Sequence, residues 1–200
     1  MVIKTITLGK NLFWKVLQMI TKIFQKKKSV SVQLGGKSKT STSTNDTSAL
    51  SNDKWDRRYL ELAKHVASWS KDPSRKIGAV AVGPKGQVLA QGYNGFPRGI
   101  SDSLTNYENR EKKYELIVHA EMNVIYNASY NGTSLDGSTL YVYGLPVCSD
   151  CAKGVIQVGV KRVVMADLPL PEHWKKSCEK TKELFDEAGV EWRFYSEKTS

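Results

Sequence analysis

Cysteine, histidine and long apolar runs are all scarce in this sequence. Its 200 residues include three cysteines and three histidines. Three cysteines are too few for a disulfide framework, and free thiols suit a reducing compartment. In the most apolar segment, residues 1–28, lysines interrupt every stretch that approaches the 18 apolar residues typical of a membrane-spanning helix. We therefore predict a cytoplasmic protein without disulfides or membrane spans.

Acidic residues are missing from the first part of the chain. Residues 1–45 contain nine lysines and no Asp or Glu, whereas residues 46–200 contain 21 basic and 20 acidic residues. The net charge of +10 therefore belongs almost entirely to the N-terminal segment. A protein that grips a polynucleotide normally presents a basic face. Because residues 46–200 are nearly neutral, nucleic-acid binding is not favoured as the function.

The N-terminal region divides into two predicted segments. Residues 1–28 place their apolar side chains at helical spacing, with lysines mainly opposite, which predicts a basic amphipathic helix. Such a helix binds anionic membrane surfaces, so membrane association or targeting is one hypothesis, and an extension without function is the other. Residues 29–52 are rich in Ser, Thr and Gly and lack aromatic residues, which predicts a flexible linker.

The pattern of residues 53–200 predicts one α/β domain. A helix is expected after Asp53 as N-cap, followed by a hairpin whose turn is residues 83–86. Further strands are expected at 138–143, 161–165 and 191–195, separated by helices. The order αββαβαβαβ predicts a layered α/β fold whose mixed sheet begins with an antiparallel hairpin.

Three soft ligands are spaced as in a catalytic zinc site. His119 lies 29 positions before Cys148, and Cys151 follows three residues later. We expect a helix to begin at each end, so that both sulfurs share a helix face near the imidazole. A catalytic zinc uses three protein ligands and leaves one position to water, whose protons Glu121 could carry. The alternative is a structural zinc, with a fourth ligand from Cys178, His65 or His173.

The sequence resembles the zinc nucleobase deaminases. It contains HAE at 119–121 and PVCSDC at 146–151, close to the H-x-E and P-C-x-x-C signature of that superfamily. One extra residue, Val147, separates the proline from the first cysteine. Within the superfamily the chain is most similar to the deoxycytidylate deaminases, through the segments at 70–82, 92–102, 119–125, 139–142 and 151–164.

This resemblance implies a fold, a reaction and an assembly. The implied fold is the three-layer α/β/α cytidine-deaminase-like fold with a central mixed five-stranded sheet. The implied reaction is zinc-dependent hydrolysis of dCMP to dUMP and ammonia, with Zn²⁺ on His119, Cys148 and Cys151 and with Glu121 as the proton carrier. The family is typically hexameric and is regulated by dCTP and dTTP, which implies a homo-oligomer.

The resemblance also implies substrate contacts. It assigns the Asn94 side chain to the sugar and the Ala120 main chain to the base, and Tyr143, at a strand end before the metal loop, is a candidate to pack on the base. Asn94 could instead simply shape a turn, and Tyr143 could fill the core. Lys71 and Arg98 are candidates for a phosphate or allosteric site, and the loop also offers three further cations, Arg110, Lys112 and Lys113.

Other functions remain open from the sequence alone. The substrate could be another small cytosine compound, such as CMP, dCTP or a nucleoside. A tRNA adenosine deaminase shares the metal motifs, although the neutral domain disfavours it. A zinc-stabilised module without catalysis is the alternative from another class, and it would leave Glu121 without a role.

Overall fold

A computed structural model describes residues 45–196 of the chain. Within that range, six helices and five strands alternate in nearly the predicted order. The helices are α1 (Asn45–Ala67), α2 (Leu104–Glu108), α3 (Arg110–Leu116), α4 (Ala120–Tyr130), α5 (Ser149–Gln157) and α6 (Glu172–Ala188). The strands are β1 (Gly78–Val82), β2 (Val88–Tyr93), β3 (Thr139–Tyr143), β4 (Arg162–Ala166) and β5 (Glu191–Tyr195).

The five strands form one mixed sheet. Their order is β2-β1-β3-β4-β5, and β1 pairs antiparallel with both β2 and β3. The pairs β3–β4 and β4–β5 are parallel, as expected where a helix connects successive strands. The predicted mixed five-stranded sheet with its antiparallel opening hairpin is therefore confirmed.

Helices cover both faces of the sheet. On one face, Leu60, Ala63 and Val66 of α1 pack against alternate residues of the central strands, including Tyr141 and Val164. On the other face, α4, α5 and α6 bury the remaining strand residues in a larger core. Because successive strand residues point to opposite faces, β1, β3 and β4 contribute side chains to both cores. This arrangement confirms the three-layer α/β/α fold.

Two glycines allow the helices to lie close to the sheet. A Cβ atom at Gly78 would overlap the backbone of α1 at Ala63 and Ala67. A Cβ atom at Gly92 would lie 2.5 Å from the Val124 nitrogen and 2.6 Å from the Ala120 oxygen, both in α4. Any larger residue at Gly92 must push α4 away from β2, and α4 is the helix that follows His119.

A buried carboxylate joins α1 to three strands. Asp56 is 1% exposed and accepts hydrogen bonds from the Tyr141 hydroxyl at 2.9 Å and from Arg162 at 2.8 and 2.6 Å. Arg193 of β5 forms a further ion pair with it at 2.6 Å. Burying this charge is tolerated because two guanidinium groups and a hydroxyl surround it.

The beginning of the domain differs from the prediction. Helix α1 begins at Asn45, so Asp53 is not an N-cap but lies inside the helix and pairs with Arg193 at 2.7 Å. The last eight residues of the predicted linker, 45–52, are helical. The predicted amphipathic segment 1–28 and linker residues 29–44 lie outside the described residues.

The long loop after β2 also differs from the prediction, because it contains α2 and α3. Ser103 and Asn109 cap these two helices through their side chains. Among residues 45–196, no helix is both long enough and apolar enough to cross a membrane.

Candidate active site

The three predicted metal ligands meet where two helices begin. His119 is the N-cap residue of α4, and Cys148 is the N-cap residue of α5, with Cys151 in the first turn of that helix. The His119 Nδ1 atom lies 3.4 Å from the sulfur of Cys148 and 3.4 Å from the sulfur of Cys151. Cys148 and Cys151, which follow His119 by 29 and 32 positions in the sequence, therefore lie next to it in the fold, as predicted.

These three atoms fit a tetrahedral zinc ion. All three donor atoms lie within 4.8 Å of one another. Typical Zn–N and Zn–S bond lengths and a tetrahedral angle give an N···S separation of about 3.6 Å, close to the observed distances. In the described part of the chain, neither Cys178 nor another histidine joins this group. A set of three protein ligands is typical of a catalytic zinc site, which leaves one position to solvent or substrate.

The surroundings favour negative charge on sulfur. Hydrogen bonds from Cys151 and His119 lower the pKa of Cys148, whereas the hydrogen bond to Cys148 and burial raise the pKa of Cys151, so Cys148 carries the negative charge of the pair. The hydrogen bond with Cys148 raises the pKa of His119. The N-terminus of α5 adds the positive end of a helix dipole next to both sulfurs. A thiolate in this position is the form that binds a metal ion.

Glu121 lies in the first turn of α4, two residues after His119. Its side chain is 3% exposed, and burial raises the pKa of Glu121 to about 7. A carboxyl group that titrates near neutrality can both accept and return a proton under ordinary conditions. Glu121 is not in the ligand group, so its carboxylate is available for proton transfer.

A cavity of about 440 Å³ opens next to these residues. His119, Ala120 and Glu121 line its inner part, and Ile77, Leu145 and Pro146 supply apolar wall. Because Ala120 occupies the first helical position of α4, its N–H has no intrahelical acceptor. The cavity is large enough for a small molecule of nucleotide size.

A hydrogen-bonded cluster forms one wall of the cavity. Asp72 is 2% exposed and forms an ion pair with Lys113 of α3 at 2.7 Å. Burial alone would raise the pKa of Asp72, but the hydrogen bonds from Lys113 and Ser74 hold it below its usual value. Lys113 is therefore occupied by this internal contact, although it lines the cavity.

Asn94 belongs to the same wall, where its side chain makes three hydrogen bonds. Its amide group donates to Asp72 at 3.2 Å and to the Arg75 carbonyl at 2.9 Å, and its oxygen accepts from the Ile77 N–H at 2.8 Å. The side chain borders the cavity, but both of its donors are already used. Its oxygen retains one lone pair for a ligand.

Tyr143 does not lie in this cavity, and its predicted contact with the base is wrong. Its side chain packs with the α1 core on the opposite face of the sheet, where Lys64 lies 5.6 Å from its ring centre. Val142, one residue earlier, points toward the metal side. The alternation of side chains along β3 therefore directs Tyr143 away from the metal ligands.

Lys71 and Arg98 also lie outside the cavity. Lys71 pairs with Asp102 at 3.0 Å, and Arg98 donates to the Asn127 oxygen of α4 at 2.6 Å. Neither side chain lines the cavity, so a phosphate contact of either is not supported by these positions. An allosteric role for them stays a prediction.

Several cavity residues were not predicted from the sequence. Arg75 follows the Asp72 turn, and His173 and Trp174 lie in the first turn of α6. The Trp174 ring centre is 6.1 Å from that of His119. Arg110, one of the loop cations considered above, also lines the cavity. Only the packing of α6 and of the loop onto the sheet identifies these residues.

Comparisons with known proteins agree with this geometry. Residues 53–167 match the family described as the cytidine and deoxycytidylate deaminase zinc-binding region. The human deoxycytidylate deaminase is 35% identical over 153 residues, which cover 73% of this chain and 82% of the human protein. A protein of Aliivibrio fischeri described as an uncharacterised deaminase in the luxG 3′ region is 36% identical over 140 residues, covering 69% of this chain and 91% of that protein.

A solved structure gives the same result for the fold. The apo dCMP deaminase from the cyanophage S-TIM5 superimposes with a TM-score of 0.56 at 26% sequence identity. The match covers 71% of this chain and 98% of the phage protein. The family match over residues 53–167 thus includes strands β1 to β4, the metal ligands and Glu121.

Proposed function

This chain belongs to the cytidine and deoxycytidylate deaminase family, and we propose that it hydrolyses dCMP to dUMP and ammonia. The observation that carries the proposal is the group of three zinc ligands, one of which, His119, lines the same cavity as Glu121. A structural zinc site would require a fourth protein ligand and would not need a buried carboxylate beside it.

The residues around the metal divide the work of the reaction. His119, Cys148 and Cys151 would hold zinc, which when bound supplies the Lewis acidity that lowers the pKa of water toward neutrality. Glu121 accepts a proton from the attacking water and delivers a proton to ring N3 of cytosine. It then transfers the second proton, from the hydroxyl group newly bound to C4, to the exocyclic amine; the bond from C4 to that amine breaks, and water and dCMP become dUMP and ammonia.

The cavity orients the nucleotide from its inner end to its rim. The Ala120 N–H holds the edge of the base, and the apolar wall of Ile77 and Leu145 excludes water from the ring. The remaining lone pair of the Asn94 oxygen accepts a hydrogen bond from a sugar hydroxyl. In this proposed pose the exocyclic amine faces His119 and Glu121, and the 5′ end faces the opening.

A comparison of substrates tests this function. Zinc-loaded full-length protein is incubated with dCMP, CMP, dCTP, deoxycytidine, cytosine and an adenosine-containing RNA, and ammonia release is followed. We expect the highest kcat/KM for dCMP. A higher value for any other compound would assign a different substrate, and no ammonia from any of them would reject deamination.

The phosphate is expected to contact Arg75 and Arg110 at the rim of the cavity. Both side chains are exposed and line the opening, and among residues 53–196 neither has a carboxylate within salt-bridge distance. Arg110 also lies 5.4 Å from the ring centre of Tyr114. Guanidinium groups bind phosphate oxygens through charge-assisted hydrogen bonds.

Arg110→Ala should therefore raise the KM for dCMP about 10-fold, the effect of losing one charge-assisted hydrogen bond of about 1.5 kcal/mol. Activity on deoxycytidine, which has no phosphate, should be unchanged. Arg98→Ala is the matched control, because Arg98 lies on the same loop but outside the cavity. An equal loss of activity on dCMP and on deoxycytidine would contradict phosphate binding by Arg110.

We also infer that the chain forms homo-oligomers, with the hexamer of its relatives as the expected state. The support is the outer side of α4, where Tyr126 is 49% and Tyr130 is 83% exposed. Exposed aromatic residues on one helix are typical of a contact surface. Sedimentation of the full chain tests this, and a monomer at micromolar concentration would contradict it.

For residues 1–28, the proposal of binding to anionic membranes rests on the sequence pattern alone. Flotation with anionic liposomes, compared between the full chain and a chain without residues 1–28, tests it. Equal flotation of the two proteins would reject the idea.

A further inference from the structure

One face of α6 is hydrogen-bonded to the loop that carries Cys148. The Trp174 indole donates to the Pro146 carbonyl at 3.1 Å, and the Thr181 hydroxyl donates to the Val147 carbonyl at 2.9 Å. Between them, the Ser177 hydroxyl accepts the Ser149 N–H at 2.9 Å. These three side chains follow one another at spacings of three and four residues and therefore share a helix face.

The bonded groups flank the first metal-binding cysteine on both sides. Pro146 and Val147 precede Cys148, and Ser149 follows it. Residues 144–147 belong to neither a strand nor a helix, so their carbonyl groups have no partner in a regular ladder. Thr181 and Val147 are both buried, at 1% and 0% exposure, so water cannot replace the bond between them.

We propose that α6 positions the metal-binding loop, with Ser177 and Thr181 as positioning residues that fix Cys148 relative to His119. The distance from the His119 ring to the Cys148 sulfur depends on a loop whose residues 144–147 make no backbone–backbone hydrogen bond within the described part of the chain. The rigid helix supplies those contacts, and groups that orient metal ligands in this way strengthen metal binding.

The same contacts accommodate the extra residue before Cys148. Val147 separates Pro146 from the cysteine, and its side chain is buried in the core on the metal side of the sheet. Its carbonyl is the group that Thr181 binds. Helix α6 thereby holds the loop before Cys148, which is one residue longer because of Val147, in one conformation.

This inference rests on the zinc site of the proposed function but not on its substrate. Zinc-loaded full-length protein is mixed with an excess of a coloured zinc chelator well below the melting temperature, and the rate of zinc loss is measured. We expect Ser177→Ala and Thr181→Val to lose zinc about 10-fold faster than the unsubstituted chain, the lower end of the range for groups that orient metal ligands. Thr181→Ser keeps a hydroxyl and should retain most of the zinc binding.

Phe185→Leu is the control for general destabilisation. Phe185 is a fully buried residue one turn further along α6 that does not bond to the loop. The Phe185→Leu substitution should lower the melting temperature without changing the rate of zinc loss. The proposal is wrong if Ser177→Ala and Thr181→Val release zinc at the unsubstituted rate, or if Phe185→Leu accelerates the release equally. Because the readout is zinc, a failure of dCMP as substrate would leave this result interpretable.

Discussion

Glu121→Gln should retain zinc and lose about 10²- to 10⁴-fold in kcat with dCMP, the usual contribution of a positioned general acid–base group. Glutamine has nearly the same size and keeps the hydrogen-bonding oxygen, but it cannot accept or return a proton. The buried carboxyl, with its pKa near 7, is the group in the cavity best suited to both steps. Single-turnover deamination rates and the zinc content of the same samples measure the effect.

The matched control for this substitution is Glu115→Gln. Glu115 is an exposed residue of α3 that lies close to the metal ligand His119 in sequence but not in the cavity. The Glu115→Gln substitution makes the same chemical change and should leave kcat unaltered. If the Glu121 variant with full zinc content retained near-normal kcat, the assigned proton carrier would be wrong.

Asp56→Ala should lower the free energy of unfolding by about 3 kcal/mol, near the lower end of values for breaking a buried ion pair. The carboxylate is almost fully buried, and its loss leaves Arg162 and Arg193 facing an empty site next to Tyr141. The Arg162 and Arg193 side chains are 24% and 37% exposed, so water offsets part of their loss. Chemical denaturation measures the change.

Asp53→Ala provides a matched comparison on the same helix. Asp53 pairs with the same Arg193 group, but its side chain is 49% exposed. Exposed ion pairs contribute about 0–1 kcal/mol, so this variant should be close to the unsubstituted chain. Equal losses for the two variants would show that burial of Asp56 has no special importance.

The metal centre could be predicted because its chemistry is local. His119 and Glu121 are two residues apart, and Cys148 and Cys151 are three apart, so each pair occupies one helix start. Only the contact between the two helix starts had to be inferred for residues that are distant in the sequence. The mixed sheet could also be predicted, because its strands are short and separated by clear turns.

The face to which Tyr143 points could not be predicted in the same way. Strand β3 is central and packed on both faces, with its three middle residues buried and its two end residues half-buried, so its sequence TLYVY has apolar residues on both sides. Without polar–apolar alternation, nothing in the strand indicates which residues point toward the metal. The start of α1 could not be predicted either, because residues 45–52 are mostly polar and lack a clear helical pattern.

The residues at the rim of the cavity depend on tertiary structure. Arg75, Arg110 and Trp174 come from three separate segments that meet only after α3 and α6 pack near the metal ligands. Ser103 and Asn109, which cap α2 and α3, were the available signals for helices in the loop.

The position of the three ligands has a thermodynamic consequence for the whole domain. His119 and the two cysteines become neighbours only when α4 and α5 lie side by side on the sheet, so the unfolded chain offers no comparable site. An ion that binds only the native state stabilises it by mass action, by about 2.7 kcal/mol at a free concentration 100 times the dissociation constant. The melting temperature should therefore rise with the logarithm of free zinc, and metal supply in the cell would set how much of this protein stays folded.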